Sequence, residues 1–161
     1  MKVREALAAD IPALTTLRMA LFCEVRELAR PDEDPVLREA TQAYFMQAQE
    51  EGSARSWVVE EEGEVVACAT LALFVRPPYP GNLAGREGYL LNIYTRPAWR
   101  RRGMANALLV AMVAYAREQQ LGKLWLHASS DGRAIYERFG FAGNPACLEC
   151  VPCLLYTSDA A

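Results

Sequence analysis

The 161-residue sequence predicts one domain of the α/β class, with a central mixed β-sheet (an α+β mixed sheet) flanked by helices. Hydrophobic runs of strand length alternate with longer segments whose apolar residues recur every 3.6 residues, which is typical of helices packed on a sheet. Hydrophobic residues make up 52% of the chain, enough for a sizeable core at a length that suits one domain. We therefore expect a single domain over residues 1–152.

The first part of the chain is predicted to form a short strand and two helices. Residues 3–6 are the strand, and Asp10 followed by Pro12 predicts the start of the first helix, with the aspartate as its N-cap. An acidic, proline-bearing segment over 30–35 breaks that helix, and a second helix is predicted over 36–49. Its inward face is predicted to carry Leu37, Ala40, Tyr44 and Phe45.

The middle of the chain predicts a β-hairpin followed by an irregular loop. Apolar runs over 57–60 and 65–75 flank the turn Glu62-Gly63-Glu64. The proline-rich loop over 76–82 cannot form regular structure, so we expect it to project from the sheet and border a substrate pocket. A strand, a long helix, a strand and a short helix follow, over residues 89–93, 105–116, 123–127 and 132–139.

The junction between the fourth predicted strand and the long helix has the features of a phosphate-binding turn. Backbone N–H groups at a helix start lack intrahelical partners and lie at the positive end of the helix dipole. Gly103 removes the Cβ that would keep a phosphate away, and three arginines, Arg100, Arg101 and Arg102, add positive charge. The pattern predicts an anion site, and the alternative is an ordinary solvated, basic helix start.

Two motifs in this part of the chain resemble the GNAT superfamily of N-acetyltransferases. The spacing Arg100-x-x-Gly103-x-Ala105 after a strand resembles that family's acetyl-CoA pyrophosphate loop. Residues 132–141 resemble its last helix, which carries a tyrosine and ends in a Gly-Phe turn. Residues 88–97 and 126–129 are also similar to a common bacterial branch of the superfamily. The resemblance spans residues 2–152 and implies the GNAT fold.

This resemblance implies acetyl-CoA as the co-substrate and assigns its contacts. The backbone of Ile93, Tyr94 and Thr95 would meet the pantetheine arm as if it were an added strand, and amides there would stabilise an oxyanion. Many members place a cofactor-binding asparagine before the last helix, a region where this chain has Ser129 instead. The residues expected around the pyrophosphate are Arg100, Arg101, Arg102, Gly103, Met104, Ala105 and Asn106.

The resemblance also suggests which residues transfer protons. Tyr136 matches the family's general acid, and a phenol with an ordinary pKa of about 10 can donate a proton to the CoA sulfur. The alternative for Tyr136 is a packing role. The general base is either His127, at the end of its strand, or Glu87, at the head of the central strand. For His127 the alternative is a hydrogen-bonded structural role, and for Glu87 it is an exposed loop carboxylate.

These assignments predict an acetyl-CoA-dependent N-acetyltransferase in which a primary amine attacks the thioester directly. The acceptor would be a small molecule or a peptide. The alternative is a non-catalytic acyl-CoA-binding module, which would keep the phosphate site but lack proton transfer. Acidic residues near the expected acceptor entrance would either attract cationic amines or form a solvated charge run: Glu24, Glu27, Asp32, Glu33 and Asp34.

Charge and hydrophobicity argue against several kinds of partner. The net charge of −3 disfavours general binding to nucleic acid or to anionic membranes, because both require a basic surface. No apolar stretch reaches the roughly 18–20 residues that span a bilayer, and the first residues lack the hydrophobic region of a signal peptide. We expect a cytoplasmic monomer or homodimer that binds neither nucleic acid nor membrane.

The cysteines do not predict a metal site or disulfides. Their number, 5, is odd. The spacing Cys147-x-x-Cys150-x-x-Cys153 is typical of metal ligands, but the only histidine, His127, lies far away in the sequence and no second cysteine pair exists. We expect ordinary thiols and no metal.

The last residues of the chain resemble a cloning product. Residues 153–161, CLLYTSDAA, match the in-frame translation of TGT CTC TTA TAC ACA TCT GAC GCT GCC, which resembles a transposon-derived adapter of sequencing libraries. On this interpretation they are a non-native tail that belongs to no functional site. The alternative is a natural edge strand.

Overall fold

A computed structural model describes residues 1–150 of the chain, so the predicted tail at 153–161 lies outside the described residues. Residues Met1–His127 form one compact unit, and those from Ala128 onward form a second, which is described by itself. The strands are β1 (Lys2–Glu5), β2 (Ala54–Glu61), β3 (Glu64–Val75), β4 (Arg86–Thr95) and β5 (Lys123–Leu126). The α-helices are α1 (Ile11–Glu24), α2 (Pro35–Glu51), α3 (Met104–Glu118) and α4 (Arg133–Arg138).

The strands of the described residues form one mixed sheet in the order β1-β2-β3-β4-β5. The first four strands pair antiparallel with their neighbours, and β5 pairs parallel with β4. Parallel neighbours require a crossover connection, and α3 lies in the one between β4 and β5. The predicted mixed sheet with flanking helices is confirmed. Within residues 1–150, no helix is long and apolar enough to cross a bilayer.

Helices cover both faces of the sheet because successive strand residues point to opposite sides. Val58, Cys68 and Tyr94 belong to the buried cluster that packs against α1, and we call this side the α1 face. Trp57, the residue before Val58, points to the opposite side, the α3 face, where its ring meets Tyr115 edge-on with centroids 5.3 Å apart. The fully buried side chains of α3 are Leu108, Leu109 and Met112. Burial of such a side chain contributes about 1.5–3 kcal/mol.

Asp10 stands before α1 as predicted, but its side chain does not cap that helix. The carboxylate accepts a hydrogen bond from Leu7 N–H at 2.7 Å and two from the Arg4 guanidinium at 2.7 and 3.0 Å. The hydrogen bond from Arg4 outweighs burial and lowers the pKa of the Asp10 carboxyl. Asp10 therefore ties β1 to the start of α1, and a capping role was the wrong prediction for it.

Helix α2 exists where it was predicted, but with a different buried face. Asp34 caps it by accepting a hydrogen bond from Leu37 N–H at 2.8 Å. Ala40 and Tyr44, which were predicted to face inward, are exposed. The buried residues are Thr41, Phe45 and Ala48. The buried side of α2 is therefore rotated about the helix axis relative to the predicted side. The position of α1 decides which side of α2 is covered.

Strand β4 contains a β-bulge at Asn92. Cys68 pairs with Tyr94 and Thr70 pairs with Leu91, so one β3 residue faces two β4 residues. Asn92 has a φ of +55°, a left-handed conformation that asparagine tolerates better than most residues. The Cys68 thiol donates a hydrogen bond to the Asn92 carbonyl oxygen at 3.3 Å. Burial raises the pKa of this thiol to about 12, so it remains a donor at neutral pH.

Candidate active site

Helix α3 begins at an open, positively polarised turn. Gly103 is its N-cap with a φ of +79°, and no side chain caps the helix. Ala107 N–H bonds to Gly103 C=O at 3.0 Å, so the amides of residues 104–106 have no partner within the helix. A Cβ on Gly103 would meet no atom within 4 Å, and the Met104 side chain is buried at 3% exposure. The turn can therefore accept an anion against its main chain.

The three arginines before α3 have different surroundings. Arg100 pairs with Glu24 at the end of α1, and its Nε donates to the Thr95 carbonyl oxygen at 3.0 Å. Arg101 and Arg102 are both exposed beside the turn, and Arg101 has a left-handed φ of +62°. The Arg100 side chain therefore links α1 to β4. The Arg102 guanidinium stands 4.7 Å from the centre of the Trp99 ring and donates to the Ala98 carbonyl oxygen at 3.3 Å.

Strands β4 and β5 separate partway along β4. Their parallel pairing runs from Glu87 opposite Lys123 to Leu90 opposite Leu126. Strand β4 then continues to Thr95, still paired with β3 on its other side. Within residues 1–150, no strand pairs with the β5 side of residues 91–95. An extended ligand can add to such an edge through main-chain hydrogen bonds, and the edge includes the predicted residues Ile93, Tyr94 and Thr95.

An aromatic group lies on the α1 face where β4 and β5 are still paired. Tyr89 and Trp125 are cross-strand partners with ring centroids 4.5 Å apart. Phe74 meets Trp125 edge-on at 5.7 Å. His127 follows on the same face, and its Nδ1 lies 2.7 Å from Tyr89 Oη. His127 is itself exposed, so the hydrogen bond orients an imidazole that solvent can reach.

Glu87 is fully buried, with 0% exposure, so the alternative of an exposed loop carboxylate is wrong. Its carboxylate accepts a hydrogen bond from Tyr79 Oη at 2.6 Å and pairs with Arg76 at 3.3 Å. Burial alone would raise the pKa of Glu87, but the hydrogen bonds from Tyr79 and Arg76 outweigh it and hold that pKa below its usual range. Asn82 Nδ2 donates to Tyr79 Oη at 3.1 Å. The predicted projecting loop is therefore folded back onto the head of β4.

The second unit contains the other predicted residues, Ser129 and Tyr136. Ser129 Oγ accepts a hydrogen bond from Gly132 N–H at 3.2 Å and shapes the turn before α4. The Tyr136 ring meets Phe141 edge-on with centroids 6.2 Å apart, as part of the predicted Gly-Phe turn. Burial raises the pKa of the Tyr136 phenol, which therefore stays protonated well into the alkaline range. Such a phenol is suited to donating a proton.

The cysteines are free thiols wherever the structure describes them: Cys23, Cys68, Cys147 and Cys150. Cys153 lies outside those residues. Over residues 1–150, no group of three or more His, Cys, Asp or Glu side chains is arranged to hold a metal ion.

Sequence patterns missed three features of this site. The bulge at Asn92 has only an asparagine inside an apolar strand as its signal. Tyr89 lies in an apolar run, and its contact with His127 depends on the register between β4 and β5. The ion pair of the exposed Arg76 with the buried Glu87 depends on the path of an irregular loop, for which periodicity carries no information.

The separated β4 and β5 strands, the bulge in β4 and the glycine-capped helix start with open amides together form a site that suits an extended ligand with an anionic group. The sequence profile described as the acetyltransferase (GNAT) family matches residues 22–141. The chain therefore belongs to the GNAT family of acetyltransferases, which confirms the predicted family and the predicted class of acetyl-CoA-dependent enzyme.

Individual relatives agree with this placement. Aminoglycoside N(6')-acetyltransferase type 1 of Stenotrophomonas maltophilia is 32% identical over 117 residues, which cover 72% of this chain and 67% of that protein. A predicted acetyltransferase from Clostridium acetobutylicum, whose crystal structure contains acetyl-CoA, is 30% identical with a TM-score of 0.85 over 94% of this chain and 96% of its own. A GCN5-related N-acetyltransferase from Ralstonia eutropha is 26% identical with a TM-score of 0.78, over 94% and 98%.

Proposed function

We propose that this protein transfers an acetyl group from acetyl-CoA to a primary amine of a small molecule or peptide by direct attack. The observation that carries the proposal is the open turn at Gly103, next to a β4 edge that has no strand partner among the described residues. The similarity to an aminoglycoside N-acetyltransferase supports a small-molecule amine as the acceptor.

The described residues fit acetyl-CoA. The amides of residues 104–106 would bind its pyrophosphate, with Arg101 and Arg102 adding charge. The backbone of residues 93–95 would bind the pantetheine arm in the manner of an added strand. Because Arg100 is paired with Glu24, we assign its side chain to holding α1 against β4 and leave only its main chain near the cofactor. Acetyl-CoA supplies the activated thioester.

The transfer requires a neutral amine, and His127 is the better candidate for the base. It is exposed, and the contact of its Nδ1 with Tyr89 Oη holds the ring. A neutral imidazole has one ring nitrogen without a hydrogen, and such a nitrogen can take up the amine proton. The Glu87 carboxylate already accepts hydrogen bonds from Tyr79 and Arg76, and its lowered pKa makes it a weak base. We therefore assign Glu87 to positioning the loop.

Tyr136 is proposed as the general acid. As the amine nitrogen bonds to the acetyl carbon, the carbon–sulfur bond breaks and the thiolate takes the phenol proton. The raised pKa of Tyr136 keeps that proton in place until it is needed. Ser129 is assigned to the turn that precedes α4, with its hydroxyl hydrogen still able to contact the cofactor.

The test is release of CoA thiol from acetyl-CoA with a panel of primary amines, run beside calorimetric titration of acetyl-CoA. An enzyme shows both tight binding and amine-dependent thiol release. Binding without release for every amine would instead identify a non-catalytic acyl-CoA-binding module. Absence of binding by the folded protein would overturn the proposal entirely.

A further inference from the structure

Arg18 is a half-buried arginine in the middle of α1. It lies one turn after Leu14, a member of the buried cluster between α1 and the sheet, and one turn before Phe22. Its guanidinium carbon stands 4.7 Å from the centre of the Phe22 ring. Arg18 is therefore on the side of α1 that faces the α1 face of the sheet, not on its solvent side.

The charge of Arg18 has no matching acid in the part of the chain that the structure describes. Among residues 1–150, no carboxylate forms an ion pair with it, although Glu27 attracts it from a greater distance. The Arg18 side chain is half-buried, so the fold removes part of the water around this cation, and this burial lowers the pKa of the guanidinium. A desolvated cation without an anionic partner is costly, and proteins usually provide one. The arginines with carboxylate partners are Arg4, Arg30, Arg55, Arg76, Arg96, Arg100 and Arg133.

Arg18 lies on the same face of the sheet as the proposed base. Helix α1 packs against α2 and against strands β3 and β4, and the Arg18 guanidinium stands beside the Phe22 ring on the sheet side of α1. Tyr89 of β4 and His127 are on that α1 face, where Tyr89 holds the imidazole ring. The guanidinium and the proposed base therefore belong to the same side of the sheet.

We propose that Arg18 binds a carboxylate of the acceptor, so that the substrate is a primary amine that also carries a carboxylate group, as an amino acid does. This inference rests on the proposed function and names the class of its acceptor. The planar guanidinium matches a carboxylate through two parallel hydrogen bonds, and the partly desolvated setting strengthens them. The cation over Phe22 is held in place before the acceptor arrives.

The experiment uses CoA conjugates in which the sulfur is joined through an acetyl linker to the nitrogen of an acceptor. One pair carries phenylalanine or phenethylamine, and a second pair carries glycine or methylamine, so each pair differs only in the carboxylate. Calorimetry on the wild-type protein should show at least one carboxylate conjugate binding roughly 10- to 100-fold tighter than its partner, as expected for a charge-assisted hydrogen-bonded contact. Arg18→Met should remove that preference, and Arg18→Lys should keep part of it.

Arg30→Met is the matched control, because Arg30 is an exposed arginine outside α1 and should leave the preference unchanged. CoA alone should bind all variants equally, and failure of CoA to bind the wild type would count against the proposed function instead.

Equal affinity of the wild type for both members of both pairs would overturn the role of Arg18. So would a preference that persists in Arg18→Met. If Arg18→Met does not fold, the wild-type comparison and Arg18→Lys still decide the question.

Discussion

The phenol of Tyr79 donates a 2.6 Å hydrogen bond to the carboxylate of Glu87, a side chain with 0% exposure. A buried carboxylate is tolerated only when it is paired and hydrogen-bonded, and Tyr79 and Arg76 meet that condition. The consequence for the fold is that an irregular, proline-rich loop is fixed to β4, the strand whose residues 91–95 have no strand partner on the β5 side among the described residues. In our proposal Glu87 therefore has a positioning role.

Glu87→Gln should destabilise the protein most at neutral pH. The pKa of Glu87 is lower in the folded state than its ordinary 4.5, so its contribution is present above that pH and is lost as pH falls through the folded value. We expect the variant to lose about 1.5–3 kcal/mol of unfolding free energy at pH 7, the range for hydrogen bonds to a charged group. The difference from wild type should shrink in acid, as measured by urea unfolding at pH 7 and pH 3.

The exposed Glu50 offers a matched control, since Glu50→Gln removes the same charge from the surface of α2. Its unfolding free energy should stay within about 0.5 kcal/mol of wild type. A Glu87→Gln difference that is independent of pH would show that lost packing, and not the charge, explains the effect.

Gly103→Glu should abolish acetyl-CoA binding. The carboxylate would enter the space in front of the α3 amides, where the pyrophosphate is proposed to bind, and would repel it. Gly63→Glu is the control, because Gly63 also has a positive φ, +81°, and nothing within 4 Å of its Cβ position, but lies in the β2–β3 turn. Calorimetry should show micromolar binding for the wild type and the control. Retained affinity in folded Gly103→Glu would place the cofactor elsewhere.

Local patterns predicted the order and type of the elements well, because each depends on residues close in sequence. The hairpin around Gly63 and the glycine-capped start of α3 are of this kind. The features that were wrong or missed depend on distant partners. Ala40 is exposed because α1 covers a different side of α2, and Asp10 bonds to Arg4 because β1 lies beside it. The Arg100–Glu24 pair likewise joins segments that only the fold brings together.

Tyr136→Phe should lower kcat by roughly 10²-fold or more, the scale of losing a general acid, with little change in acetyl-CoA affinity. Because burial raises the pKa of Tyr136 above its ordinary 10.0, the wild type should keep the acid form, and hence its activity, up to at least that pH. Tyr115→Phe removes a phenol on the opposite side of the sheet, the α3 face, where the ring meets Trp57, and should leave kcat unchanged. Thiol release measured against pH tests both points. Equal turnover of Tyr136→Phe and wild type would reassign the tyrosine to packing.

His127→Gln should lower kcat/KM by roughly 10²-fold or more, the scale of losing a general base, because a glutamine amide cannot accept the amine proton. Tyr89→Phe keeps the imidazole but loses the 2.7 Å hydrogen bond that orients it, so it should show a smaller loss of rate. Glu87→Gln serves as the comparison, since the buried carboxylate is assigned to the loop and should keep kcat/KM close to that of the wild type. Thiol release measured for the three variants at one pH separates the two candidates. Full turnover in His127→Gln together with a large loss in Glu87→Gln would make the carboxylate the base.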